Sequence, residues 1–228
     1  MGSVFVRADG AVVVYTQASA PTVDEANKII YGNGTPLLLK QEDREENGNT
    51  VQYHCIYTYE NQTQGILVKE ESRTGLEGWT LVGGYADGSY TGDILIQITD
   101  GESKISNIYG TDGQNIIGNI TINIEFPLDI SGRQSQVTSI YGSYNDAFVR
   151  GDVTIRYSGG CYYSYCPMKD ITAVSGDVDG NVVMDFSNAY LYYVNIADAS
   201  DNARKITGNV NVSTDIVYVG YFDAGKFS

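Results

Sequence analysis

Gly118-Asn119-Ile120-Thr121-Ile122-Asn123-Ile124 is the stretch on which the fold turns, because the chain returns to it. Gly92-Asp93-Ile94-Leu95-Ile96-Gln97-Ile98, Gly151-Asp152-Val153-Thr154-Ile155-Arg156-Tyr157, Gly180-Asn181-Val182-Val183-Met184-Asp185-Phe186 and Gly208-Asn209-Val210-Asn211-Val212-Ser213-Thr214 share its figure. The leading glycines stand 26, 33, 29 and 28 residues apart, the period of stacked supersecondary units. Apolar residues alternate within each copy, which is the two-residue period of a strand with one buried face. Glycine and the Asn or Asp behind it tolerate positive φ, so each copy opens on a corner.

A second figure lies between these strands: two apolar residues three apart, then a small residue. It runs through Trp79–Gly84, Ile105–Gly110, Val137–Gly142 and Ile171–Gly176, with weaker copies from Leu191 and Ile216. Units this small bury no core alone and must stack. The expected fold is therefore all-β, a solenoid of about five coils over residues 76–228, with coils roughly 4.8 Å apart. Alternation turns Ile94, Ile96, Ile98, Ile120, Ile122, Ile124, Val153, Ile155, Tyr157, Val182, Met184, Phe186, Val210 and Val212 inward. It turns Gln97, Asn123, Arg156, Asp185 and Ser213 outward in one file. An antiparallel β-sandwich is the rival, because strands and turns alone leave pairing direction open.

Residues 1–75 read as a cap region. Thr22 and Glu25 have capping-box spacing behind Pro21, and Val23, Ala26, Ile29 and Ile30 form an apolar stripe ending at Gly32-Asn33-Gly34, which predicts a short helix. Strands are expected at Val4–Val6 and around Pro36–Leu39. The charge run Glu42–Glu46 reads as a solvated loop. Val51–Tyr59 alternates as a strand with Val51, Tyr53, Cys55 and Tyr57 on one face, so His54 points away from Cys55 and is expected in solvent.

With 228 residues and 42% hydrophobic content, the chain is long enough for a substantial core. Its 28 acidic residues against 14 basic ones give a formal net charge of −14. That balance repels a phosphate backbone or an anionic membrane surface, so nucleic acid is not an expected partner. No run approaches the roughly 18 apolar residues of a membrane span, so membrane insertion is not expected either. Met1-Gly2-Ser3-Val4 carries no leader pattern, and targeting and anchoring segments are expected to lie outside this chain. The last repeat closes near Val219 without a polar cap, so the chain is expected either to be a fragment of a longer protein, truncated at its C-terminal end, or to associate end to end with another copy.

The order of strand, helix around Pro21–Gly34 and strand resembles the opening of bacterial secreted parallel β-helix proteins with a pectate-lyase-like fold. In those proteins a helix covers the end of the coil. The Gly-Asn-Val-x-Val strands are similar to the glycine-punctuated repeats of adhesin-like bacterial surface proteins. The resemblance implies a right-handed coil and a secreted or cell-surface location. It also implies binding of a glycan or a host or cell-surface protein, or service as a stalk.

The most unusual feature is tyrosine, at 19 residues against one tryptophan. Tyr162, Tyr163 and Tyr165, and about one coil later Tyr190, Tyr192 and Tyr193, could form an aromatic strip. Tyr162, Tyr163, Tyr165, Tyr192 and Tyr193 are accordingly the candidate ligand-binding residues. The alternative function is a polysaccharide lyase or glycoside hydrolase, with Arg156 and Asp185 on the outer face and Asp198 and Asp201 nearby. No catalytic motif carries over, so the leading expectation is non-catalytic, with no cofactor and no metal. Asp177–Asn181 has the look of a calcium loop, but its glycine falls too early. Cys161 and Cys166 are close enough in sequence to close a disulfide in an oxidising compartment.

Overall fold

The computed structural model describes residues 3–6, 12–72, 75–85, 88–100, 102–126, 137, 139–159, 170–198 and 204–225. None of these residues is helical. In chain order the strands are β1 (Ser3–Val6), β2 (Val12–Thr16), β3 (Thr22–Asp24), β4 (Ile29–Tyr31), β5 (Leu37–Glu46), β6 (Asn49–Glu60), β7 (Thr63–Ser72), β8 (Thr80–Val82), β9 (Ser89–Thr91) and β10 (Ile94–Ile98). They continue with β11 (Asn107–Asp112), β12 (Ile116–Ile117), β13 (Ile120–Glu125), β14 (Ser139–Tyr144), β15 (Val149–Arg150), β16 (Val153–Ser158), β17 (Asp170–Val174), β18 (Val182–Ala197) and β19 (Val210–Asp223).

These strands wind into an all-β solenoid of about four turns. Three walls run along it. The front wall stacks β4, β8, β11, β14, β17 and the C-terminal halves of β18 and β19. The back wall stacks β5, β10, β13, β16 and the N-terminal halves of β18 and β19. The short side wall stacks β2, β9, β12 and β15, and bridges at Val178 and Ile206 prolong it. Pairing between coils is parallel throughout, which disposes of the antiparallel sandwich.

The register is the one the Gly-Asn figure predicts. Ile94, Ile120, Val153, Val182 and Val210 pair in sequence along the back wall, and Ile96, Ile122, Ile155, Met184 and Val212 do the same. Like shapes stacked at strand spacing fill the interior with few gaps, and one continuous core results. The last coil is the exception, with Val210 only partly buried and Val212 38% exposed, because no described strand lies beyond β19. Gln97 also departs from its expected exposure and is buried, lying in register with Leu38.

The corners explain the motif. A Cβ added to Gly118 would sit 2.0 Å from the Gly92 carbonyl oxygen, and one on Gly151 would sit 2.3 Å from that of Gly118. Glycine is needed because the backbone of one coil touches the next. Beside it runs a ladder. Asp93 Oδ1 accepts the Asn119 N–H (2.8 Å), Asn119 Oδ1 that of Asp152 (2.9 Å), Asp152 Oδ1 that of Asn181 (2.8 Å) and Asn181 Oδ1 that of Asn209 (2.9 Å).

The second figure is stacked differently from its sequence alignment. Leu81 and not Val82 pairs with Ile108, and Ile171 and not Val174 pairs with Ile140. The front-wall register places Gly83, Gly110, Gly142 and Ala173 in one file. A Cβ on Gly110 would lie 2.3 Å from both the Gly142 carbonyl oxygen and Ile120 Cγ2. The small side chain therefore sets the register, and the apolar spacing follows it.

At the N-terminal end the structure corrects two expectations. Thr22–Tyr31 is a β-hairpin of β3 and β4, not a helix. The Asp24 carboxylate accepts the Asn27 N–H (3.0 Å) and its Nδ2 (2.8 Å), and Lys28 turns the chain at φ 55°. Parallel pairing of β4 with β8 then outweighs the helical pattern. Glu42–Glu46 likewise belongs to β5, which continues into a long hairpin with β6. β6 and β7 extend the back wall past β5 and contribute Ile56 and Val68 to the core around Ile30, Leu76 and Trp79. This meander takes the capping place given to the helix.

Candidate functional site

The front wall carries the aromatic face. Outward-pointing residues alternate with Ile108, Ile140, Ile171 and Val194, which point into the core. One outer file reads Asn107, Ser139, Asp170, Tyr193 and Tyr221, and its neighbour reads Tyr109, Tyr141, Thr172, Asn195 and Asp223. Two clusters of tyrosine result. In the first, Tyr144 stacks on Tyr109 with centroids 4.5 Å apart and meets the Tyr141 edge at 4.8 Å. In the second, Tyr192 and Tyr193 meet edge to face at 4.6 Å, and Tyr193 lies 5.5 Å from Tyr221. Between them Asn195 Nδ2 donates to Thr172 Oγ1 at 3.3 Å.

Of the five candidate residues, the structure brings Tyr192 and Tyr193 together and leaves both exposed, at 53% and 38%. Tyr162, Tyr163 and Tyr165 lie outside the described residues, as do Cys161 and Cys166. Tyr190 stacks on Tyr218 of the next coil at 4.4 Å. Sequence reasoning missed Tyr109, Tyr141 and Tyr144, although the repeated Tyr-Gly of the second figure was the available signal.

Tyr109, Tyr141 and Tyr193 hold their protons more strongly than a free tyrosine. Burial, the neighbouring Tyr144 and the Asp112 charge push Tyr109 up to about 12. Burial raises Tyr141, with Asp198 and Asp170 adding to it against the Thr172 hydrogen bond. Tyr192 raises Tyr193. At neutral pH the face offers hydroxyl donors, ring surfaces and amide groups, the chemistry that receives sugar rings.

The residues of the enzymatic alternative are not gathered into one site. Arg156 and Asp185 are back-wall neighbours. Arg156 donates to Asn123 Oδ1 at 3.4 Å, and Asp185 accepts the Ser213 hydroxyl at 2.7 Å. Asp198 follows the front-wall half of β18 and is tied by its N–H to the Val174 carbonyl. Asp201 lies outside the described residues. In the supposed calcium loop, Asp177 accepts the Lys205 N–H and Asp179 the Thr207 hydroxyl, both at 2.9 Å. No group of three or more His, Cys, Asp or Glu among the described residues could hold a metal ion.

His54 is buried, not exposed as its strand position suggested. Its Nδ1 lies 2.6 Å from Asp100 Oδ2, and the two side chains are 3% and 0% exposed. Asp100 Oδ1 accepts the N–H groups of Glu102 and Ser103, each at 2.9 Å. A histidine–carboxylate pair does nucleophilic chemistry only when a hydroxyl or thiol reaches the ring. Among the described residues none hydrogen-bonds to it: Ser103 Oγ is 3.5 Å from the Asp100 carbonyl oxygen, and Cys55 faces the other side of β6. The pair fastens β6 to the turn after β10. Forty-six residues separate its members, a distance no local motif reveals.

No protein-family model matches the chain, and neither the curated protein sequences nor the solved structures contain a significant match to it.

Proposed function

We infer that this chain is a non-catalytic β-solenoid module that displays its front wall as a glycan-binding face, in the manner of an adhesin. The observation that supports the reading is the pair of tyrosine clusters, Tyr109–Tyr144–Tyr141 and Tyr192–Tyr193–Tyr221, set on one wall to either side of the β17 coil. The rise of roughly 4.8 Å per coil is close to the length of one pyranose ring, so a linear glycan along the axis meets a new side chain at each step. The excess of acidic residues favours a neutral sugar over a uronic acid polymer. The right-handed coil, the bacterial source and the secreted or cell-surface location belong to the same proposal and rest on the likeness of the repeats.

Titration with neutral and acidic oligosaccharides, read by intrinsic fluorescence, tests it. Binding of a neutral glycan should weaken on the order of tenfold in Tyr141→Ala and Tyr193→Ala, the loss of one stacked ring contact. New reducing ends or unsaturated products in the same samples would replace this reading with the enzymatic one. Binding untouched by either substitution would remove the front wall as the site.

A further inference from the structure

The front wall is acidic as well as aromatic. Asp112 stands in register with Tyr144, Asp170 in register with Tyr193, and Asp223 in the file of Tyr141, while Asp198 follows β18 directly. None of the front-wall strands β4, β8, β11, β14, β17, β18 and β19 carries a lysine, arginine or histidine. The meander and the back wall, by contrast, hold Lys40, Arg44, Lys69 and Arg156. The carboxylates lie against the rings. Asp170 acts on both Tyr141 and Tyr193, Asp198 on Tyr141 and Asp112 on Tyr109. Asp170 thus sits between the two tyrosine clusters, on the coil that separates them. A tyrosine ring attracts a cation through its face, and a carboxylate beside it adds a charged hydrogen-bond acceptor for the same group.

We propose that the front wall takes an amino-sugar polymer, a glycan whose rings carry free ammonium groups, and prefers it to the same polymer with its amines acetylated. The proposal rests on the glycan-binding reading of the tyrosine clusters and adds the charge of the ligand. Sugar rings lie over the tyrosines, and ammonium groups meet Asp112 beside the first cluster and Asp170 between the two. With about one ring per coil, the ring between the clusters falls on the β17 coil, where Asp170 stands. The net charge of −14 draws the same ligand from solution. A lysine-rich protein segment shares the charge but offers no flat ring to the tyrosines.

Titration of the purified chain with a glucosamine oligomer, its fully N-acetylated form and an oligolysine tests the proposal, at a pH where the amines are protonated. Wild type is compared with the double variant Asp112→Asn, Asp170→Asn and with Tyr193→Ala. The asparagine changes keep the shape of the side chains, and circular dichroism checks that the fold is retained. The wild type should bind the glucosamine oligomer about fivefold more tightly than its acetylated form, the effect of two exposed ion pairs. The double variant should lose that margin, as should the wild type in added salt. Tyr193→Ala should weaken both sugars. Equal affinity of the wild type for the two sugars would overturn the proposal and leave the glycan-binding reading in place, whereas failure to bind either sugar would overturn both. A margin that survives in the double variant would overturn the role of the carboxylates. Oligolysine bound as tightly as the glucosamine oligomer, and unaffected by Tyr193→Ala, would overturn the proposal in favour of a basic protein partner.

Discussion

Asn181 joins three coils through one side chain. Its Nδ2 and its backbone N–H both donate to Asp152 Oδ1 below, at 3.0 and 2.8 Å, while its Oδ1 accepts the Asn209 N–H above at 2.9 Å. Asn181→Ala removes the acceptor of the Asn209 N–H and one of the two donors to Asp152 Oδ1, which keeps the backbone N–H, at a cost of about 0.5–1.5 kcal/mol. Gly151→Ala should cost more, above roughly 3 kcal/mol, because its Cβ would lie 2.3 Å from the Gly118 carbonyl oxygen at φ 150°. Denaturant unfolding of the two variants gives both values, and a milder Gly151→Ala would show that the corner can open. The sequence made the Gly-Asn pair legible as a turn and a repeat marker. It could not show the carboxamide reaching the next copy, since that bond exists only once the coils are stacked.

The β5–β6–β7 meander is an element whose charges hold one another on its outer face. Lys40 and Arg44 each lie 3.0 Å from Glu42, Arg44 reaches Glu70 at 2.8 Å, and the Tyr57 hydroxyl donates to Glu42 at 3.0 Å. Burial alone would raise Glu42, but bonds from Lys40, Arg44 and Tyr57 overcome it and hold the carboxyl at about 2. The folded form thus binds this proton less readily than the unfolded chain does. Its contribution to stability is complete above about pH 4.5 and is lost as pH falls toward 2. The melting temperature of Glu42→Gln should lie below that of the wild type at pH 7, and the gap should close as the pH drops through 4. A constant gap would mean that packing, not charge, sets the effect. The run Glu42–Glu46 misled because both faces of this strand segment are polar, which hides the alternation that betrays a strand. His54 misled for a related reason. Alternation correctly separated it from Cys55, but the side of β6 it occupies is covered by the Asp100 turn.

At the scale of the described residues, stability is the sum of coil-on-coil contacts between an end covered by the meander and the β19 coil, which has one neighbour among the described strands. Such one-dimensional stacks fray from their less protected end. Amide hydrogen exchange should be fastest in β19, slower in β18 and slowest in β10, β13 and β16, and uniform protection across β13–β19 would contradict it. The repeats made the stack and most of its core legible from spacing, whereas the parallel direction of pairing was not, because strands and turns alone leave it open. The tyrosine face was half legible, because Tyr192 and Tyr193 are adjacent in sequence whereas Tyr109 and Tyr141 become neighbours only through register. One detail of this architecture bears on how the protein is made. The coil of β4 and β5 has no side-wall strand of its own, and β2 occupies that place against β9. A ribosome releases β2 more than seventy residues before its partner at Ser89–Thr91, so β2, paired on one edge with β1, holds its other edge open until β9 has left the exit tunnel, and this turn is completed out of order.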